Sequence, residues 1–105
     1  MNDSEQTPDL KALETFTEPL LAMKAEDVQV MDLRGIAEFA DYFVIGTGTS
    51  DIQIRAIADA VMEHGKENGQ RPFNIEGYDQ RKWILIDFVD VVVHVMQPKE
   101  RTFYG

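Results

Sequence analysis

Trp83-Ile84-Leu85-Ile86-Asp87-Phe88-Val89-Asp90-Val91-Val92-Val93-His94-Val95-Met96 decides the fold. Two β-rich runs, about 82–88 and 91–96, are separated only by Val89-Asp90, which predicts an antiparallel hairpin. Side chains alternate across a strand, so setting Phe88 opposite Val91 sorts the hairpin into two faces. One face carries Ile84, Ile86, Phe88, Val91, Val93 and Val95, is wholly apolar, and must pack under helices. The other carries Trp83, Leu85, Asp87, Val92, His94 and Met96. It mixes a large aromatic, a thioether, an acid and an imidazole, which suits an exposed contact surface, since Trp is favoured at hot spots and Met adapts to shape. Trp83, Leu85, Asp87, His94 and Met96 are therefore candidate partner-binding residues, with Glu76 and Tyr78 beside them at the hairpin edge. The competing expectation is that the N-terminal helix covers this face and makes Trp83 core.

Upstream, helix 50–68 has the clearest pattern. Ser50 and Gln53 form a capping-box pair, and Ile54, Ile57, Ala58, Val61 and Met62 make an apolar stripe at helical spacing. Gly69 supplies the stop. Tyr42-Phe43-Val44-Ile45 before it reads as a strand buried on both faces, and Phe73–Glu76 after it reads as a third strand. Strand, helix, strand of this length implies a right-handed crossover joining parallel strands. A further strand is expected at 27–33, around Val28, Val30, Met31 and Leu33. From Asp9, the spacing of Leu10, Leu13, Phe16 and Leu20 predicts a helix, kinked or restarted near Thr17 by Pro19. Residues 1–8 are polar and expected to be a disordered tail, leaving 9–105 as a single domain. Pro98 suits the first turn of a last helix, with Glu100 near its positive end.

The chain has 105 residues, one domain's worth, enough to bury a core without staples. It has no cysteine, so disulfides, thiolate metal sites and a thiol nucleophile are excluded. No apolar run approaches the ~20 residues of a spanning helix, and the start lacks a signal-peptide pattern, so a cytoplasmic protein without membrane contact is expected. Nineteen acidic against ten basic side chains give a net charge of −9. That field repels phosphate backbones, disfavours direct DNA binding, and attracts a basic protein partner. Equally, it serves simply to keep the domain soluble.

Candidate catalytic patterns have simpler explanations. Gly46-Thr47-Gly48-Thr49-Ser50 could ring a phosphate with backbone N–H groups, but it lacks the P-loop spacing and lysine and the third glycine of a dinucleotide fingerprint. A tight turn and a helix cap account for it. His64 stands beside Glu63 and Glu67 without an H-E-x-x-H pattern, and His94 is alone in a strand, so no metal site is expected. Asp87 and Asp90 flank a turn, where aspartate is common. Ser50 has no histidine and acid at triad spacing. No cofactor and no enzymatic activity are expected.

Taken in order, Lys24-Ala25-Glu26-Asp27-Val28, Ala40-Asp41-Tyr42-Phe43-Val44-Ile45 with Gly48 and Ser50, Glu76-Gly77, Trp83-Ile84-Leu85-Ile86-Asp87, Asp90-Val91-Val92-Val93-His94-Val95 and Arg101 with Phe103-Tyr104 resemble the ribosomal silencing factor, or Iojap-like, family. No single piece is distinctive; the set in this order and spacing is. The resemblance implies an α/β fold, a mixed five-stranded sheet with flanking helices in a nucleotidyltransferase-like topology without the catalytic acids. It further implies a translational repressor that binds the large-subunit ribosomal protein numbered fourteen, a basic protein, and blocks joining of the two ribosomal subunits. Two departures stand out. The family usually has glycine where Val89 stands, and it continues past the position of Gly105 into an acidic, aromatic C-terminal helix whose role is not expected of these residues. A homodimer is left open. The alternative function is a nucleotide-binding enzyme of the nucleotidyltransferase type using the Gly46–Ser50 turn; a third is a chaperone for a ribosomal protein.

Overall fold

A computed structural model describes residues 10–104 of the chain. The elements run α1 (Leu10–Ala22), β1 (Glu26–Asp32), β2 (Tyr42–Thr47), α2 (Asp51–Glu67), β3 (Asn74–Glu76), β4 (Trp83–Asp87), β5 (Val91–Met96) and α3 (Pro98–Tyr104). The expected disordered tail over 1–8, the helix start at Asp9, and Gly105 lie outside the described residues. Helix α1 runs on through Pro19 instead of restarting at Thr17, and the Pro19 carbonyl accepts the Met23 N–H at 3.1 Å.

The hairpin forms with the expected pairing: Trp83 faces Met96, Ile84 faces Val95 and Asp87 faces Val92. Strand β5 then pairs in parallel with β2, so the sheet order is β1-β2-β5-β4-β3 and β5 lies at its centre. Strands β1 and β3 are antiparallel edges. Strands β2 and β3 point the same way, as a crossover through α2 requires, but β5 and β4 stand between them. The tight hairpin link lets β5 enter between the two strands that α2 joins.

Helices α1 and α2 cover one face. Their stripes, Leu13, Phe16 and Leu20 with Ile54, Ile57, Ala58 and Val61, meet Val44, Ile84, Ile86, Val93 and Val95 in one buried core. At ~25 cal/mol per Å² of apolar burial, this is the main favourable contribution to folding. Ser50 caps α2 by accepting the Gln53 N–H at 3.0 Å. The reciprocal bond falls one residue earlier than expected, with Gln53 Oε1 accepting from the Thr49 N–H at 2.7 Å. Gln53 Nε2 meanwhile donates to the Lys24 carbonyl at 3.3 Å, fastening the start of α2 to the chain leaving α1.

The hairpin turn carries strain. Val89 sits at φ +81°, a left-handed conformation costly for a β-branched residue. Asp87 Oδ1 accepts the Val89 N–H at 2.7 Å and holds the turn closed. The glycine that the resemblance implies at this position would adopt the conformation freely. Val89→Gly is expected to stabilise the protein by about 1 kcal/mol, because relief of strain outweighs glycine's extra chain entropy. The check is a higher urea midpoint at unchanged m-value; a midpoint equal to or below the parent's would show the turn to be unstrained.

Candidate protein-binding surface

The pairing register places Phe43, Ile45 and Thr47 of β2 on the side of the sheet away from α1 and α2. Val92, His94 and Met96 of β5 and Trp83, Leu85 and Asp87 of β4 share that side. Helix α3 lies over one end of it, where β2 and β5 finish. Arg101 pins α3 there: Nη1 donates to Thr47 Oγ1 at 2.8 Å and Nη2 to the Asp27 carbonyl at 2.7 Å, with the Asp27 carboxylate 3.4 Å away. Between α3 and the sheet, Trp83, Lys99, Glu100, Thr102 and Phe103 line a shallow groove of about 370 Å³.

An aromatic ladder crosses this face. Trp83 Nε1–H donates to His94 Nδ1 at 3.0 Å. The Phe43 ring meets the imidazole edge-on at 4.5 Å between centroids, and the Phe39 ring lies tilted against Phe43 at 5.9 Å. His94 is 3% exposed, and burial pushes its pKa down to about 4. The ring is thus neutral near pH 7. Because Nδ1 accepts a hydrogen bond, its proton resides on Nε2.

The expected contact residues divide into three groups. Trp83, Leu85 and Asp87 are half-buried on the face, and exposed Glu76 pairs with Leu85 on the adjoining edge strand. Helix α1 does not cover Trp83, so the core reading of that residue does not hold. His94 and Met96 lie on the expected side but are buried, at 3% and 0% exposed. They offer no surface, because β5 is the central strand and the rings of Phe43 and Trp83 and helix α3 lie over it. Tyr78 is elsewhere. Its hydroxyl accepts from Arg55 Nε at 2.8 Å and donates to Asp59 Oδ1 at 2.7 Å, which draws the side chain onto α2. The cause is Gly77, whose φ of +75° swings the chain away and whose bare Cα admits the Trp83 carbonyl where a Cβ would otherwise sit.

Sequence reasoning missed the link between β1 and β2. Ile36 and Phe39 are 80% and 69% exposed there, and Phe39 continues the aromatic ladder. The available signal was two large apolar residues in a link with no periodicity to bury them. Positive charge nearby is already engaged: Arg34 pairs with Asp32 at 2.8 Å and lies over the Tyr42 ring. Exposed Glu38, Asp41 and Asp90 leave this end of the face acidic.

The glycine turn is accounted for by packing. A Cβ on Gly48 would press on Ile54 Cδ1 at 3.0 Å, and one on Gly46 on Leu20 Cδ2 at 3.1 Å. The Gly48 N–H donates to the Met96 carbonyl at 2.9 Å and the Thr49 N–H to Gln53. Both donors point into the protein, not toward a phosphate. Among the described residues, no group of three or more His, Asp or Glu comes together to hold a metal, and no helix is long and apolar enough to cross a membrane.

The family model for the ribosomal silencing factor during starvation matches residues 4–105. The chain belongs to this family. A ribosomal silencing factor of Bacillus subtilis is 44% identical over 82 residues, covering 78% of this chain and 70% of the relative. A mouse protein named for mitochondrial assembly of the ribosomal large subunit is 34% identical over 83 residues, covering 76% of this chain and 36% of the relative. Among solved structures, a Chromobacterium violaceum protein superposes with a TM-score of 0.87 at 31% identity, covering 93% of this chain and 82% of that one. The mixed five-stranded sheet with flanking helices is therefore the fold of ribosomal silencing factors, as the resemblance implied.

His94 is expected to make the stability of this chain pH-dependent. In the unfolded chain the imidazole titrates near its ordinary 6.5, and in the fold near 4, so the unfolded state binds more protons between those values. The contribution is complete above pH 6.5 and is lost progressively as pH falls toward 4. Unfolding free energy should drop by about 2 kcal/mol from pH 7.5 to 5 from this titration. Denaturant titrations at both pH values should show that increment in the parent and not in His94→Asn; an equal drop in both would assign it to carboxylates.

Proposed function

We propose that the open sheet face docks onto a basic ribosomal protein of the large subunit, the one numbered fourteen, and that occupancy of this site blocks joining of the two subunits. The observation that carries the reading is a sheet face that α1 and α2 leave uncovered, where half-buried Phe43, Leu85 and Trp83 stand beside the buried strand β5, with Trp83 at the α3 end and exposed acids at the hairpin end. Large aromatics at the centre of an interface with a polar rim supply most binding energy in protein complexes. A net charge of −9 favours encounter with a basic partner and opposes direct nucleic-acid contact. Repression by occupancy requires no turnover. That agrees with a glycine turn whose donors are engaged within the fold, which leaves the nucleotidyltransferase alternative little support.

A second reading has one observation in its favour, the mouse relative's name, which concerns assembly of the large subunit. A chaperone acting in assembly would bind the same partner without affecting joining of finished subunits. Light scattering from purified subunits separates the two. Inhibition of joining should saturate at one copy per large subunit, reverse on dilution, weaken as salt screens attraction beyond ~8 Å, and spare subunits already joined. Substoichiometric inhibition would indicate catalysis; binding without inhibition would leave the assembly reading. Trp83→Ala should cost about 2 kcal/mol or more in binding while the fold survives, because the apolar side of β4 is untouched. Circular dichroism and a sedimentation assay on large subunits read the two effects separately.

A further inference from the structure

Trp83 is the sole tryptophan of the chain, and its one hydrogen-bond donor is engaged from below by a buried histidine. That arrangement bears on how the open face recognises its partner, a role that rests on the docking function proposed for that face. An indole carries a single N–H and no acceptor, so once Nε1–H is held by His94 the side chain has only its π-surface and apolar edge to offer. The imidazole is itself immobile: it is 3% exposed, in the central strand, with Phe43 edge-on at 4.5 Å. A ring held at its polar atom by a fixed acceptor has few accessible rotamers. A partner docking on it then loses less side-chain freedom than it would against a mobile tryptophan, a cost of ~0.5–1.5 kcal/mol per immobilised side chain.

We propose that His94 is a positioning residue for partner recognition, holding the Trp83 indole by its N–H so that the ring presents its π-surface to a cationic partner. Glu76, across the pair from Leu85, and Asp87, at the far end of β4, put acid on the same side of the sheet as that ring. Guanidinium and ammonium groups stack on tryptophan faces, and neighbouring carboxylates increase that preference. The acceptor is present throughout the working range, since burial keeps the imidazole neutral well below pH 7.

Two substitutions at His94 separate positioning from packing. His94→Asn keeps an acceptor oxygen near the place of Nδ1 but loses ring volume. His94→Phe keeps the volume and loses the acceptor. If His94 only fills space, His94→Phe should be the better variant in every assay. If it positions Trp83, binding to purified large ribosomal subunits should fall about tenfold in His94→Phe, mainly through faster dissociation, and less in His94→Asn. Fluorescence should report the same order, with Trp83 more mobile and more readily quenched by acrylamide in His94→Phe than in His94→Asn. Binding that is stronger in His94→Phe than in His94→Asn would overturn the proposal.

The parent protein supplies a measurement that does not depend on either variant folding. The single indole N–H should give one NMR resonance that exchanges with solvent more slowly than a free indole and shows a through-bond coupling to His94 Nδ1. Exchange at the free rate would overturn the proposal outright. Trp83→Ala distinguishes this failure from failure of the docking function. If Trp83→Ala binds large subunits as the parent does, the docking reading of this face falls and the proposal with it. If Trp83→Ala weakens binding and His94→Phe does not, only the positioning role is lost.

Discussion

Phe88 and Val91 face each other across the hairpin turn, the Phe88 N–H donating to the Val91 carbonyl at 2.8 Å, and every other feature of the sheet depends on that pairing. It sets Ile84 against Val95 and Ile86 against Val93 on the core side, and Trp83 against Met96 on the other. A slip of one residue would turn Ile84 and Ile86 outward and bury Trp83 and Asp87 under the helices. Because β5 also pairs with β2, the same slip would carry through the parallel ladder to Val44 and Ile45. The turn that enforces this register is a strained one, with a left-handed Val89 held by Asp87. Local strain is tolerated because the apolar burial it organises is far larger.

The hairpin and α2 were legible in the sequence because each has a short-range signature: strict alternation about a two-residue link, and a capped stripe at helical spacing. Faces were legible too, since parity follows from pairing alone. Cover was not. Whether His94 and Met96 are accessible depends on β5 being central and on α3 folding back, neither of which alternation encodes. The run Val91-Val92-Val93-His94-Val95 did hold a hint, for a near-continuous apolar strand is one buried on both sides. The direction of Tyr78 was invisible because it follows from the φ of Gly77, and glycine is equally at home on either side of zero. Sheet order was not legible for a related reason: proximity of β2 and β3 along the chain fixes their parallel sense but says nothing of a hairpin inserted between them later. Family resemblance supplied what patterning could not, the five-stranded mixed sheet.

Charge and shape on the open face act at different ranges. In the proposed docking, the excess of acids would draw a basic partner from several ångströms and orient it, while rim charges contribute little to a settled complex. Holding it there would fall to the half-buried rings of Phe43 and Trp83, with exposed Ile36 and Phe39 extending that apolar surface beyond the strands. His94 belongs to neither group. Its burial as a neutral ring, bonded to Trp83, makes a polar atom part of the support beneath an apolar surface, with no unpaired charge left to bury.

A sheet can also recruit partners through its edges, and here both edges are guarded. Strand β1 has its register shifted between Glu26 and Gln29, with Asp27 at φ +52°. Arg101 from α3 then takes the Asp27 carbonyl, so an acceptor at this irregular edge is already satisfied. Bulges and charged residues are standard means of preventing strand addition. Strand β3, at the far edge, has only three residues and offers little ladder to extend. Backbone pairing is discouraged at both edges, and helices α1 and α2 fill one face of the sheet. Under the proposed docking, recognition on the other face would proceed through side chains, which discriminate between partners, and not through backbone hydrogen bonds, which would accept any extended segment.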